Sequence, residues 1–131
     1  MKPLAVLIVD DSSVMRKIIE RSLRQAGLPL ARVIEAANGA EALTLLGKNP
    51  VDLILVDINM PVMDGLEFVR QAKNIVGETP MVMITTEGSE SQVVKALSLG
   101  ARDYIRKPFT PDQMKDHVLH LLEKPVLEKA P

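Results

Sequence analysis

The stretch LILVDINMPVMDG, residues 53–65, joins a solid apolar run directly to a carboxylate. The run itself, residues 53–56, is typical of a strand that is covered on both faces of a sheet. Asp57 follows it at once, and a turn-prone segment rich in Pro, Asp and Gly leads to Gly65. The stretch therefore predicts a central strand of a parallel sheet that ends on an acidic side chain.

Outward from this stretch, strand-like runs alternate with amphipathic helical patterns. The predicted strands cover residues 4–9, 31–36, 52–57, 81–85 and 103–107. Helix starts are indicated by cap residues at Asn38, Asp64 and Thr110 and by the capping-box pattern SESQ at 89–92. This alternation predicts an α/β fold, a doubly wound five-stranded parallel sheet with helices on both faces. The second and fifth strands are more polar and are predicted to be edges.

Composition limits the classes of function. The chain has 131 residues, 47% of them apolar and 25% charged, which suits one globular domain. A net charge of −1 argues against binding to nucleic acid or to an anionic membrane, and the absence of cysteine excludes a disulfide framework. There is no signal-peptide pattern or membrane-spanning run, so we expect a cytoplasmic protein. We expect the domain to cover residues 1–124, with a flexible C-terminal tail at 125–131.

Five chemically distinctive side chains lie at the predicted carboxyl ends of strands. They are Asp10, Asp11, Asp57, Thr85 and Lys107. In a doubly wound parallel sheet these strand ends share one rim, where ligands bind. Three neighbouring carboxylates repel one another and need a cation. Hard oxygen ligands favour Mg²⁺, with Mn²⁺ as an alternative.

The central position of Asp57 distinguishes it from the other two acids. We interpret Asp57 as a nucleophile that takes a phosphoryl group, and Asp10 and Asp11 as metal ligands. Lys107 can supply a positive charge to one phosphoryl oxygen, and Thr85 a hydroxyl hydrogen bond to another. An aspartyl phosphate is a mixed anhydride that hydrolyses readily, so the product suits a transient signal.

Four motifs in order complete the pattern. They are LIVDDSSVMR, LILVDINMPVMDGLEFV, VMITTEG and GARDYIRKPF. Together they resemble the receiver domain of bacterial two-component response regulators, of the single-domain chemotaxis type, over about residues 4–123. This resemblance implies a flavodoxin-like (βα)5 fold with strand order 2-1-3-4-5. It also implies phosphorelay signalling, with chemotaxis as a candidate pathway.

The resemblance assigns roles to individual residues. It implies that Asp57 is the phosphoacceptor, that Asp10 and Asp11 hold Mg²⁺, and that Lys107 contacts the phosphoryl group. It also implies that Asn59 lends a backbone carbonyl to the metal.

Further roles concern switching and signal decay. The resemblance implies a switch pair, Thr85 and Tyr104, and a cis peptide bond before Pro108. Asn59 and Glu87 match positions that tune dephosphorylation, and Thr86 is bulkier than the residue common at its position.

The resemblance also implies partners. The expected donor is a sensor histidine kinase or phosphotransfer protein, and the expected output protein binds the face formed by the last two helices and the fifth strand. We expect a monomer or a weak phosphorylation-dependent dimer. The protein would not be an enzyme in the ordinary sense, because it would catalyse only its own phosphorylation and dephosphorylation.

Three other interpretations stay open at the level of sequence. One is a receiver-like interaction module that is never phosphorylated, against which the complete acidic set argues. Another is a phosphohydrolase with an aspartate nucleophile, of the haloacid-dehalogenase kind, but Ser12 stands where that family has its second acid. The last is a fragment of a DNA-binding regulator, for which no basic or helix-turn-helix stretch is visible.

Overall fold

The computed structural model describes the backbone of residues 2–86 and 90–128 and the side chains of residues 2–86 and 90–122. The strands are β1 (Leu4–Val9), β2 (Leu30–Ala36), β3 (Leu53–Val56), β4 (Met81–Thr85) and β5 (Asp103–Arg106). The helices are α1 (Ser13–Gln25), α2 (Gly39–Leu46), α3 (Gly65–Val76), α4 (Glu90–Leu99) and α5 (Pro111–Glu128). Strand and helix alternate along the whole chain, as predicted.

The strands form one parallel sheet in the order β2-β1-β3-β4-β5. This confirms the expected fold class, and β2 and β5 are the edges. All residues of β3 and β4 are buried, because helices cover both faces of these strands. The ordered strands end slightly earlier than predicted, at Val56 in β3 and Arg106 in β5. Asp57 and Lys107 are therefore the first residues beyond their strands.

Two apolar cores lie on opposite faces of the sheet. The core under α1 and α5 includes Ile8 of β1, Ile19 of α1 and Val118 of α5. The core under α2, α3 and α4 includes Val56 of β3 and Phe68 of α3. Alternate residues of β1, β3 and β4 enter different cores, since successive strand side chains point to opposite faces. A central strand that supplies both cores is held firmly, and so is the residue at its end.

Helix caps determine where the loops at the carboxyl rim end. The Ser12 hydroxyl accepts a hydrogen bond from the Met15 amide at 3.1 Å, so Ser12 caps α1. Asn38, Asp64 and Thr110 cap α2, α3 and α5 by the same type of bond, as predicted. The predicted cap of α4 includes Ser89, which lies outside the described residues. With Ser12 in the capping role, the Asp11 carboxylate takes no part in capping α1.

The last helix is longer than the sequence pattern suggested. The helical backbone of α5 extends to Glu128, past residue 124, where we expected the domain to end. The apolar spacing of Val118, Leu122 and Val126 is compatible with this extension. A flexible tail at 125–131 stays a prediction. Among the described residues, no helix has the length and apolarity needed to cross a membrane.

Phe68 is the largest fully buried side chain of the core beneath α3, and its removal tests the packing. We expect Phe68→Ala to lower the free energy of unfolding by about 3–5 kcal/mol, because a cavity replaces the ring. Urea denaturation followed by circular dichroism measures this change. Val94→Ala, at an exposed site on α4, should change stability by about 0.5 kcal/mol or less. Equal effects of the two substitutions would contradict the packing described.

Candidate functional site: an acidic cluster at the carboxyl rim

Three aspartates meet at the carboxyl ends of β1 and β3. Asp10 and Asp11 follow β1, and Asp57 follows β3. One carboxylate oxygen from each lies within 4.8 Å of the others. The two strands are neighbours in the sheet, which brings these distant parts of the chain together. The part of the predicted convergence that concerns the three aspartates is therefore present in the structure.

Lys107 completes this cluster from β5. Its ammonium nitrogen lies 3.0 Å from Asp10 Oδ2 and 3.6 Å from Asp57 Oδ2. The Lys107 side chain is only 10% exposed, so water screens these ion pairs weakly. The Lys107 backbone amide also donates to the Thr85 carbonyl oxygen at 2.8 Å, which ties the end of β5 to the end of β4. The peptide bond between Lys107 and Pro108 is cis, as the resemblance implied.

The environment of Asp57 favours protonation more than water would. Burial raises the pKa of the Asp57 carboxyl above its ordinary value, and the negative charge of Asp10 adds to this shift. The Lys107 charge and the hydrogen bond from the Ile58 amide, 2.8 Å from Asp57 Oδ1, act in the opposite direction. The net effect is a raised pKa, so Asp57 holds a proton more tightly than an exposed aspartate does.

Asp10 and Asp11 differ in exposure. Asp10 is buried, and its carboxylate accepts from the Ser12 amide at 2.9 Å as well as from Lys107. Asp11 is exposed. One acid is thus fixed inside the cluster while its neighbour faces the solvent, from which an ion or a phosphoryl donor would arrive.

Gly65 has no side chain, and this lets the start of α3 pack closely on the backbone next to Asp57. The sequence indicated Gly65 only as part of a turn. A Cβ atom on Gly65 would lie 2.0 Å from the Asp57 carbonyl oxygen. This distance is far shorter than a van der Waals contact, so the present backbone has no room for a side chain at this position. The Gly65 amide also donates to the Ile58 carbonyl at 2.7 Å. The first residue of α3 is therefore packed directly on the peptide that follows Asp57. The pair Asp64–Gly65 at a helix start was the only sequence signal for this contact.

The predicted switch residues lie on β4 and β5. Thr85 is fully buried at the end of β4, and its register partner on β5 is Arg106. Tyr104 lies two residues earlier on the same edge strand, and its side chain is exposed.

The residues expected to tune dephosphorylation are only partly described. Asn59 and Thr86 are both exposed, on the loops after β3 and β4. Glu87 lies outside the described residues.

The donor set of the cluster fits Mg²⁺. The clustered ligand atoms are carboxylate oxygens, with no thiolate or imidazole among them, and Mg²⁺ binds through few protein carboxylates. Three carboxylates near one ammonium also leave an excess of negative charge for a divalent cation to neutralise.

The fold and this site define a class of protein. The sequence profile of the response regulator receiver domain matches residues 6–119, and the chain belongs to that family. Receiver domains bind Mg²⁺ through an acidic cluster of the kind seen here. They act in two-component signalling through histidine kinases and output proteins rather than as ordinary enzymes.

Within this family, several relatives that match over most of their own length are chemotaxis proteins. The chain is 43% identical to the Chemotaxis protein CheY homolog of Campylobacter jejuni over 120 residues, 89% of this chain and 91% of that protein. It is 45% identical to Chemotaxis protein CheY1 of Helicobacter pylori over 114 residues, 85% of this chain and 90% of the relative. Response regulator MprA of a Mycobacterium species matches at 33% identity over 98% of this chain but only 55% of its own length.

Solved structures agree with the fold. The chemotaxis response regulator CheY4 of Vibrio cholerae superposes with a TM-score of 0.81 at 36% identity, covering 92% of this chain and all of that chain. A CheY-like receiver domain protein of Methanospirillum hungatei superposes with a TM-score of 0.85 at 28% identity, covering 97% of this chain and 99% of its own. The chain is therefore a CheY-like receiver domain.

The contact between Gly65 and Asp57 can be tested by adding one methyl group. Gly65→Ala should lower the free energy of unfolding by about 1–3 kcal/mol, because the peptide after Asp57 must move to admit the Cβ atom. Urea denaturation measures this loss. Gly47→Ala is the matched control, since a Cβ there would lie 3.5 Å from its nearest neighbour, an ordinary contact. A Gly65→Ala protein as stable as Gly47→Ala would contradict the close approach.

The raised pKa of Asp57 predicts a pH-dependent effect of Asp57→Asn. The folded state binds this proton more tightly than the unfolded state, whose carboxyl has the ordinary pKa of 3.8. Stability of the wild type is therefore lost as the pH rises from 3.8 through the raised pKa. The amide of the Asp57→Asn variant does not titrate in this range, so the variant avoids that loss.

We expect the stability of the Asp57→Asn protein relative to wild type to increase as the pH rises from 3.8 through the raised pKa of Asp57. Urea denaturation in EDTA at several pH values measures the difference with divalent cations removed. A difference that is constant over this range, or that moves in favour of the wild type, would contradict the raised pKa.

Proposed function

We propose that Asp57 accepts a phosphoryl group from the phosphohistidine of a histidine kinase or phosphotransfer protein. The observation that carries this proposal is the convergence of Asp57 with Lys107 and two further aspartates at one rim. A carboxylate oxygen of Asp57 attacks the phosphorus atom, and the bond from phosphorus to the donor nitrogen breaks with its electron pair remaining on the imidazole. The other ring nitrogen of the donor carries a proton during the transfer, so the products are an aspartyl phosphate and a neutral histidine side chain.

The residues around Asp57 have separate tasks in this transfer. Lys107 neutralises charge on a phosphoryl oxygen, since its ammonium already lies between Asp10 and Asp57. Asp10, Asp11 and Asp57 would hold Mg²⁺ together with the backbone carbonyl of Asn59. Bound Mg²⁺ supplies charge neutralisation and orients phosphoryl oxygens, which is most of what phosphoryl transfer requires. Mn²⁺ has the same preference for oxygen ligands and is a suitable substitute.

The phosphorylated state is read out through a switch. Thr85 at the end of β4 would donate its hydroxyl to the phosphoryl group, and Tyr104 would turn from its exposed position towards the protein. The face built from α4, β5 and α5 then changes its affinity for an output protein. This face already exposes apolar side chains of Val94, Leu97 and Tyr104, which suits a protein partner.

Signal lifetime depends on water reaching the aspartyl phosphate. Access of water would be adjusted by Asn59, Thr86 and Glu87, which is the role that the resemblance to receiver domains implies for these positions. The bulk of Thr86 would slow hydrolysis or hinder a phosphatase. The protein would catalyse only two reactions, its own phosphorylation and its own slow dephosphorylation.

The pathway proposed is chemotaxis, because the relatives named as chemotaxis proteins match this chain over most of their own length. We also propose a cytoplasmic location, where the ATP that supplies histidine kinases is found, and a monomer or weak phosphorylation-dependent dimer. The family favours neither of the two alternatives, an unphosphorylated interaction module and a phosphohydrolase.

Phosphorylation by acetyl phosphate tests the proposal directly. With Mg²⁺ present, the intact mass of the wild-type protein should rise by one phosphoryl group, and Asp57→Asn should stay unmodified. EDTA should abolish the adduct, because the carboxylate cluster then lacks a divalent cation.

Asp52→Asn is the matched control. Asp52 immediately precedes β3, so it lies at the opposite rim from Asp57, and its carboxylate accepts a hydrogen bond from the Ala5 amide. This variant should be phosphorylated like wild type. A wild type without an adduct would favour the unphosphorylated module, and an adduct on Asp57→Asn would place the acceptor elsewhere.

A further inference from the structure

Arg16 of α1 connects the acidic cluster to the edge strand β2. Its Nη1 atom donates to the Asp10 backbone carbonyl at 2.6 Å, and its Nε atom donates to Glu35 Oε1 at 2.8 Å. The Arg16 side chain is only 16% exposed, so both bonds are partly shielded from water. Two different edges of one planar guanidinium thus donate hydrogen bonds at fixed angles, a geometry that lysine cannot reproduce.

Glu35 anchors this guanidinium. It is the penultimate residue of β2, and its second carboxylate oxygen accepts from the Lys17 ammonium at 2.7 Å. The hydrogen bonds from Lys17 and Arg16 lower the pKa of Glu35, so the carboxylate stays charged over the physiological range. Glu35 of β2 therefore sets the direction in which the Arg16 guanidinium points, although an arginine side chain is flexible in itself.

The bond from Arg16 completes the fixation of Asp10. The Asp10 amide donates to the Ala36 carbonyl at 3.0 Å, and the Asp10 carboxylate is held by the Ser12 amide and Lys107. The remaining polar group of the residue is its carbonyl oxygen, which Arg16 binds. This carbonyl belongs to the peptide that joins Asp10 to Asp11. Because a peptide is planar, fixing its oxygen also fixes the direction in which the chain enters Asp11.

We propose that Arg16 is a positioning residue for the cation site, acting through the peptide between Asp10 and Asp11; the inference rests on the proposed function. The exposed Asp11 carboxylate has to be aimed at the cluster by its backbone. Arg16, anchored on Glu35, holds that backbone, and it does so without contacting the cation. Groups that orient metal ligands in this way commonly change metal affinity by about 10–100-fold.

The direction of the effect separates positioning from simple electrostatics. The Arg16 guanidinium is a positive charge that lies beside Asp10, so its removal makes the cluster more negative. By Coulomb's law alone, Mg²⁺ would then bind more tightly. Loss of positioning has the opposite sign, since Asp11 would no longer be aimed at the ion.

Calorimetric titration with Mg²⁺ measures this difference. We expect Arg16→Met to weaken Mg²⁺ binding about tenfold or more. Arg16→Lys should also weaken binding, although it keeps the charge, because one ammonium cannot span Glu35 and the Asp10 carbonyl in the same geometry. At saturating Mg²⁺, phosphorylation of both variants by acetyl phosphate should return towards the wild-type rate, because Arg16 acts on cation affinity and not on the transfer itself.

Lys17→Met is the matched control. Lys17 binds the same Glu35 carboxylate and carries the same charge, but its bond does not reach Asp10, and its side chain is 65% exposed. We expect its Mg²⁺ affinity to stay within about twofold of wild type, since exposed charges are well screened. Circular dichroism checks that each variant is folded. If Arg16→Met does not fold, Glu35→Gln takes its place, and it should weaken binding in the same direction but less.

The outcomes separate this inference from the proposed function. Unchanged or tighter Mg²⁺ binding in folded Arg16→Met, or in both Arg16→Lys and Glu35→Gln, would overturn the positioning role while leaving Asp57 phosphorylation intact. Equal weakening by Lys17→Met would also overturn it, because Lys17 does not touch Asp10. Absence of Mg²⁺ binding to the wild type would overturn the cation site itself, and the role of Arg16 with it.

Discussion

The approach of Lys107 to Asp10 and Asp57 is the interaction on which the rest of the site depends. Buried carboxylates are costly unless a positive charge lies close to them, and Lys107 is the cation that the fold supplies. One ammonium against three carboxylates leaves two negative charges in the cluster, which a divalent cation matches. The charge of Lys107 therefore allows the site to form in the folded protein, but an excess of negative charge remains. This excess favours Mg²⁺ and, through Mg²⁺, a phosphoryl group.

The sheet topology makes this interaction available. Asp10 and Lys107 are separated by 97 residues, yet both follow strands that end at the same rim. Parallel strands bring all their carboxyl ends to one edge, and the order β2-β1-β3-β4-β5 puts Asp57 between them. The two apolar cores fix the strands from both faces. The charges are consequently held by the packing of the whole domain and not by local loop structure alone.

Patterns along the chain predicted the strands, the helix starts and the meeting of the acidic side chains. These features could be predicted because they follow from residues that are close together in the sequence and from the parallel order of the strands. Solid apolar runs mark strands covered on both faces, cap residues mark helix starts, and the acids at strand ends imply convergence at a parallel rim. The contact between Gly65 and the Asp57 carbonyl could not be predicted in this way, since it depends on how closely α3 approaches β3. The bonds of Arg16 to Glu35 and to the Asp10 carbonyl depend likewise on the packing of α1 against β2. The polar run after β1, residues 10–13, does not itself show which residue caps α1, and the structure assigns that role to Ser12.

The two sides of Asp57 differ in a way that bears on signalling. On one side, the Ile58 amide binds its Oδ1 atom and Gly65 packs on its peptide, so this side is rigid. On the other side lie Lys107 and the end of β4, where Thr85 is buried. In the proposed function, a phosphoryl group on Asp57 adds charge and hydrogen-bond acceptors beside Lys107 and the end of β4. The response would then occur towards β4 and β5, and Tyr104, exposed on that edge strand, stands where such a movement would reach a partner.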